Sequence, residues 1–199
     1  MPIASNLGLT PLPLPLIAPM ALGLGGNAVT VSDALWKAME QHGGNTDLDP
    51  ATNGAALKRV ITQRPHGDRL QFAVVHPFSG HSYELRYWLA ASGIDPVAEI
   101  DFVVVPPPLM ADALLTGRID GYCAGEPWNS FGVDAAAGHL ATVKAAIWKS
   151  SPEKVLGIQA EWAEANPAAL DALLRALHHA SIWCADSANH IELAGILAR

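Results

Sequence analysis

The sequence predicts an α/β fold built around a parallel sheet. From Leu70 onward, short apolar runs of strand formers alternate with helical patterns, each stopped by glycine or proline. The runs are apolar throughout rather than alternating with polar residues, as strands covered on both faces require. Half of the 199 residues are hydrophobic and only 16% are charged, so a substantial core is available in one domain or two small lobes.

In order, Gly23–Asn27 reads as a loop and Val29–Gln41 as a helix with Leu35, Trp36 and Met39 on its apolar stripe. Gly43–Gly54 is polar and turn-rich, and Ala55–Gln63 is a short helix ended before Pro65. The alternating part then gives a strand at Phe72–Val75 and a helix at about Gly80–Ser92. A strand at Asp101–Val105 precedes Pro106-Pro107-Pro108 and a helix through Leu115. A strand at Gly121–Ala124 leads into Gly125-Glu126-Pro127-Trp128 and a helix near Asn129–Ala137. Val155–Gln159 is a further strand, followed by helices at Ala160–Ala165 and Pro167–Asp186. Asn166 caps the last of these, and Leu170, Leu173, Leu174, Leu177 and Ile182 are expected to face the core.

The net charge of −7 and the lack of a Lys/Arg cluster argue against a nucleic-acid surface. Cys123 and Cys184 are far apart and read as buried small hydrophobes. Met1–Gly26 is apolar, but prolines at 2, 11, 13, 15 and 19 forbid a continuous membrane helix. No basic segment or cleavage site marks a signal peptide. The opening reads as the middle of a protein and a helical pattern runs into Arg199, so a fragment is expected.

The most informative stretch is His76 to Leu89. A strand feeds a Pro/Ser/Gly turn and then a helix with His81 in its first turn, a place where backbone N–H groups and the helix dipole favour a small anion. In a parallel sheet the turns His76–His81, Pro106–Pro108 and Gly125–Trp128 would share one edge, where ligands of such folds sit. Gly125 permits close backbone approach, and the proline run supplies a rigid wall. Lys154, before a strand, could provide the full positive charge that a buried anion needs. A lone capping His81 or a surface Lys154 is the plainer reading of either residue.

His76 and His81 are separated by a turn and have no third ligand nearby, so neither a metal nor a cofactor is expected. Phe78-Ser79-Gly80-His81 is not a nucleophile elbow, no phosphate-binding glycine loop follows a strand, and Glu126 lacks a paired carboxylate.

Four blocks in order carry a family likeness. They are His81 with Arg86–Pro96, Val103–Pro108, Cys123–Trp128 and Trp148–Lys154. Together they resemble the nitrate/bicarbonate-binding proteins, the solute receptors of bacterial ABC transporters, and their sensor relatives. The resemblance implies a type 2 periplasmic binding protein fold, two α/β lobes around a ligand cleft, with the first lobe incomplete here. Its divisions would be 1–68 for part of lobe 1, 69–150 for lobe 2 and 151–199 for a return to lobe 1. It implies an anion held by His81, Gly125 and Lys154, with Pro107 in the wall and Asn27 as the amide side chain. A lysine, where the bicarbonate receptors place an acidic residue and calcium, favours nitrate or nitrite. The tryptophan-bearing loop of the family has no counterpart here. The implied partners are an ABC permease and ATPase in a periplasmic or membrane-associated setting. A cytoplasmic sensor with a regulatory partner, a bicarbonate receptor, and an enzyme of the same fold in pyrimidine biosynthesis remain alternatives.

Overall fold

The computed structural model describes Ser5, Gly8, residues 14–65 and residues 67–198. Pro2, Pro11, Pro13 and Arg199 therefore lie outside the described residues. No helix among the described residues is long and apolar enough to cross a membrane. The chain forms two compact units, Leu24–Glu153 and Met1–Gly23 with Lys154–Arg199.

The larger unit is α/β. Strand β1 (Leu16–Leu24) comes first in the chain, and β2 (Asn27–Ser32) enters a five-stranded sheet with β3 (Leu70–Val74), β4 (Ile100–Val104), β5 (Gly121–Gly125) and β6 (Gly138–Val143). The strand order is β4-β3-β5-β2-β6. β3 runs parallel to β4 and β5, as expected, with Val74 level with Val104 and with Cys123. β2 runs antiparallel to both β5 and β6, so the sheet is mixed.

That strand corrects the expected helix at Val29–Gln41. Val29-Thr30-Val31 are β-branched and fully enclosed between two strands, an environment that outweighs the helical spacing of the residues after them. Helix α1 (Asp33–Glu40) starts only after Ser32, whose hydroxyl accepts from the Leu35 N–H at 3.2 Å. Helix α2 (Pro50–Gln63) likewise begins inside the stretch expected to be loop. Asp49 caps it by accepting from the Thr52 N–H, and Pro50 stands in its first turn.

Side chains alternate across the sheet. Val29, Val31, Phe72, Val74 and Cys123 enter a core beneath α1, α2 and α3 (Gly80–Ala91), together with Trp36, Leu57, Leu85 and Trp88. Ala73, Tyr122 and Ala124 enter a second core with Met110 and Leu114 of α4 (Met110–Leu115). Both faces are covered, which is why the strands read as continuous apolar runs. The expected boundary at residue 68 falls inside this unit, because β2, α1 and α2 supply one wall of the first core. Helices α5 (Trp128–Asp134) and α6 (Lys144–Ile147) complete it.

In the smaller unit β1 pairs with β7 (Pro152–Gln159) as a two-stranded sheet, followed by α7 (Ala160–Ala165), α8 (Pro167–Ala185) and α9 (His190–Leu197). Pro19 is tolerated because both strands of such a sheet are edges. No residue of α8 is buried. The leucine stripe expected in a core is half-buried at Leu170, Leu174 and Leu177 and exposed at Leu173 and Ile182.

Candidate ligand site at the carboxyl ends of β3, β4 and β5

The parallel registers bring the three expected turns to one edge of the sheet. After β3, the Ser79 hydroxyl donates to the His76 carbonyl at 2.7 Å and accepts from the Ser82 N–H at 3.2 Å. That cap fixes the start of α3, and His81 is the second residue of the helix. After β4, Pro107 opens a 3₁₀ turn (Pro107–Leu109) and is half-buried. Gly125 ends β5 level with Asn27 of the antiparallel neighbour β2, and the Glu126 N–H donates to the Gly26 carbonyl at 2.7 Å.

Beneath this edge lies a charged cluster. Asn27 is 3% exposed, and its Nδ2 donates to Glu84 Oε2 and Glu153 Oε2, each at 2.6 Å. Lys144, 4% exposed, reaches Glu84 Oε1 at 2.6 Å, Glu153 Oε2 at 2.8 Å and the Pro152 carbonyl at 2.9 Å. Those three acceptors match the three donors of an ammonium, so the Lys144 charge is spent within the cluster. Burial opposes that charge, yet the hydrogen bonds to Glu153 and Glu84 outweigh it and the Lys144 pKa is raised. His81 Nε2 lies 3.9 Å from Glu153 Oε1.

The Asn27 amide is oriented by these partners. A carboxylate only accepts, so the NH₂ group must face Glu84 and Glu153. The buried Oδ1 then accepts nothing among the described residues. A cavity of about 10 Å³ touches Asn27, Glu84, Cys123 and Lys144, near the lower limit for one water. Cys123 is held as a neutral thiol there. Burial pushes its pKa well above the ordinary value, and the Glu84 and Glu153 carboxylates push the same way.

The structure therefore brings His81, Asn27 and Gly125 to one end of the sheet, with Pro107 on the same edge. Lys154 lies on β7 in the smaller unit, and its side chain is exposed. Sequence reading missed Glu84, Lys144 and Glu153. Glu84 carried a signal, since it falls one helical turn after His81 on the same face. Lys144, alone in the apolar run Ala141–Ile147, carried another.

The model of the NMT1-like family matches residues 1–198. Among curated proteins, the chain is 46% identical over 144 residues to the nitrate/nitrite binding protein NrtA of Synechococcus elongatus. That match covers 72% of this chain and 32% of the relative. It is 37% identical over 186 residues to the bicarbonate transport ATP-binding protein CmpC of the same species, covering 94% of this chain and 26% of the relative. Among solved structures, the periplasmic nitrate-binding protein NrtA of Synechocystis PCC 6803 superposes over 100% of this chain and 49% of its own, with TM-score 0.83 and 29% identity. The chain thus spans about a third or less of these curated relatives, and about half of that structure.

Proposed function

This chain belongs to the NMT1-like family and has the α/β fold of periplasmic binding protein structures, and on that premise we propose that it binds a small inorganic oxyanion. Nitrate or nitrite leads, in the service of an ABC-type importer at the periplasmic face. The observation that carries the reading is the capped start of α3, bearing His81, set at the sheet end beside Gly125. Backbone N–H groups at a helix start and an imidazole N–H are donors suited to a planar anion. Each charge-assisted bond contributes about 1.5–3 kcal/mol. The family resemblance implies Lys154 as the lysine offered to the ligand. Pro107 adds a wall without a donor. The names of the relatives point to nitrate, nitrite and bicarbonate.

One observation favours bicarbonate as a second reading. Asn27 presents an acceptor, Oδ1, because its NH₂ is taken by two carboxylates. Nitrate has no hydrogen to donate, whereas the hydroxyl of bicarbonate does.

Titration calorimetry of the full 199-residue chain with nitrate, nitrite and bicarbonate, each with and without calcium, tests the proposal. Saturable, calcium-independent heat with nitrate or nitrite supports the leading reading. Binding of bicarbonate alone, or binding that requires calcium, replaces it with the second. Lys154→Ala is expected to weaken nitrate binding at least tenfold, or about 1.4 kcal/mol, and an unchanged affinity removes Lys154 from the site.

A further inference from the structure

The bonds around Asn27 and Lys144 fix a carboxylate beside the imidazole of His81. Glu153 Oε2 accepts from Asn27 Nδ2 at 2.6 Å and from Lys144 Nζ at 2.8 Å, and Glu84 engages the same two donors. The other oxygen of Glu153, Oε1, lies 3.9 Å from His81 Nε2. The two side chains are 11% and 14% exposed, so water screens the carboxylate only weakly over that distance.

A neutral imidazole carries one hydrogen, and its second nitrogen is then an acceptor. A carboxylate opposite Nε2 favours an N–H there over a lone pair. Neutral His81 is thereby held with its hydrogen on Nε2 and a lone pair on Nδ1. Nitrate and nitrite have no hydrogen to give that lone pair. They require an N–H on Nδ1, which stands beside one on Nε2 only in the imidazolium, and the same carboxylate stabilises the imidazolium. We infer that Glu153 is a positioning residue of the anion site: by fixing the His81 tautomer, it makes the binding of a hydrogen-free oxyanion take up one proton. Bicarbonate escapes the requirement, because its hydroxyl can donate to Nδ1. The inference rests on the anion-binding reading above.

Among the described residues, the charged and titratable groups about His81 come from several elements. Glu84 follows one turn on along α3, Cys123 lies on β5 and Lys144 on α6. Glu153 lies on β7, followed by exposed Lys154, and exposed His76 sits in the turn before α3. The Lys144 pKa is raised and the Cys123 thiol is pushed well up, so neither changes charge near neutral pH. Imidazoles do titrate there, with an ordinary value of about 6.5, and ring-nitrogen spectra tell His81 from His76.

Two measurements on the full 199-residue chain test the inference. Nitrogen-15 spectra of the His81 ring without ligand, at about pH 8.5, should show hydrogen on Nε2 and a bare Nδ1. Hydrogen on Nδ1 instead overturns the inference, whatever the chain binds. Calorimetry with sodium nitrate in buffers of different ionisation enthalpy should show about one proton taken up per nitrate at about pH 8. Nitrate affinity should be at least about tenfold weaker at pH 8.5 than at pH 6, while sodium bicarbonate should bring no proton uptake. Saturable nitrate binding of equal affinity at both pH values, or without proton uptake, overturns the inference and leaves the anion reading standing. No saturable binding of either anion at any pH overturns both. Glu153→Gln should move the midpoint of the nitrate pH profile down by about 0.5 unit or more, because the imidazolium loses its carboxylate. A loss by one factor at every pH, as from a structural defect alone, removes Glu153 from this role. The wild-type measurements decide the matter if that variant does not fold.

Discussion

Residues 24–153 and residues 154–198 have similar sequence signals and opposite fates. Both contain strand formers and helices with leucine, isoleucine and tryptophan at core spacing. Yet apart from Ala163, every buried hydrophobic residue among those described lies in the larger unit. The larger unit has a sheet with helices on both faces, so an apolar residue on either face of a strand finds a partner. The described residues of the smaller form two strands and helices without a second layer. Apolar spacing states that a side chain needs cover, while the cover comes from elements elsewhere in sequence.

That contrast can be broken or sharpened by substitution. The largest effect is expected at Trp88, buried in the first core with its Nε1 donating to the Pro50 carbonyl. Trp88→Ala should cost about 3–5 kcal/mol in urea unfolding. Leu173→Ala, on the exposed side of α8, should shift the same curve by less than about 0.5 kcal/mol. Equal costs would erase the difference between the units.

Lys144→Met comes next, because it removes the ammonium that the Glu84 and Glu153 carboxylates share. A loss of about 3–5 kcal/mol is expected, with partial recovery when Glu84→Gln is added. The same ammonium sets an alkaline limit. Its folded pKa is raised above the ordinary 10.5, so its contribution is complete below pH 10.5 and fades as pH rises through the folded value. Wild-type stability should fall in that alkaline window more steeply than that of Lys144→Met, as read from unfolding curves at successive pH values.

Gly138→Ala should cost about 1–3 kcal/mol, since a Cβ there would clash with the Val31 carbonyl oxygen, fixed backbone in the neighbouring strand. Ser32→Ala should be mildest, about 1 kcal/mol from one lost cap of α1, measured by thermal unfolding.

Much of the larger unit was legible in sequence. The β3, β4 and β5 runs and their following helices emerged within one or two residues, except that α5 ends at Asp134, three residues before the expected Ala137. β2 was hidden because Val29-Thr30-Val31 adjoins a strong helical stripe, and only pairing with β5 and β6 decides between them. β6 was hidden by its mixed Gly138–Val143 composition. Of the site, Asn27, His81 and Gly125 could be gathered from turn chemistry and resemblance. The Glu84–Lys144–Glu153 cluster could not, since its members come from three separate segments and meet only through the fold.

The most direct test of the proposed anion site is an NMR titration of the full chain with sodium nitrate against a sodium chloride control. Saturable amide shifts should be largest at Ser79–Ser82 and Gly125–Glu126, and they should disappear in His81→Ala. Saturable shifts confined to other segments, or none beyond the chloride control, would contradict the account.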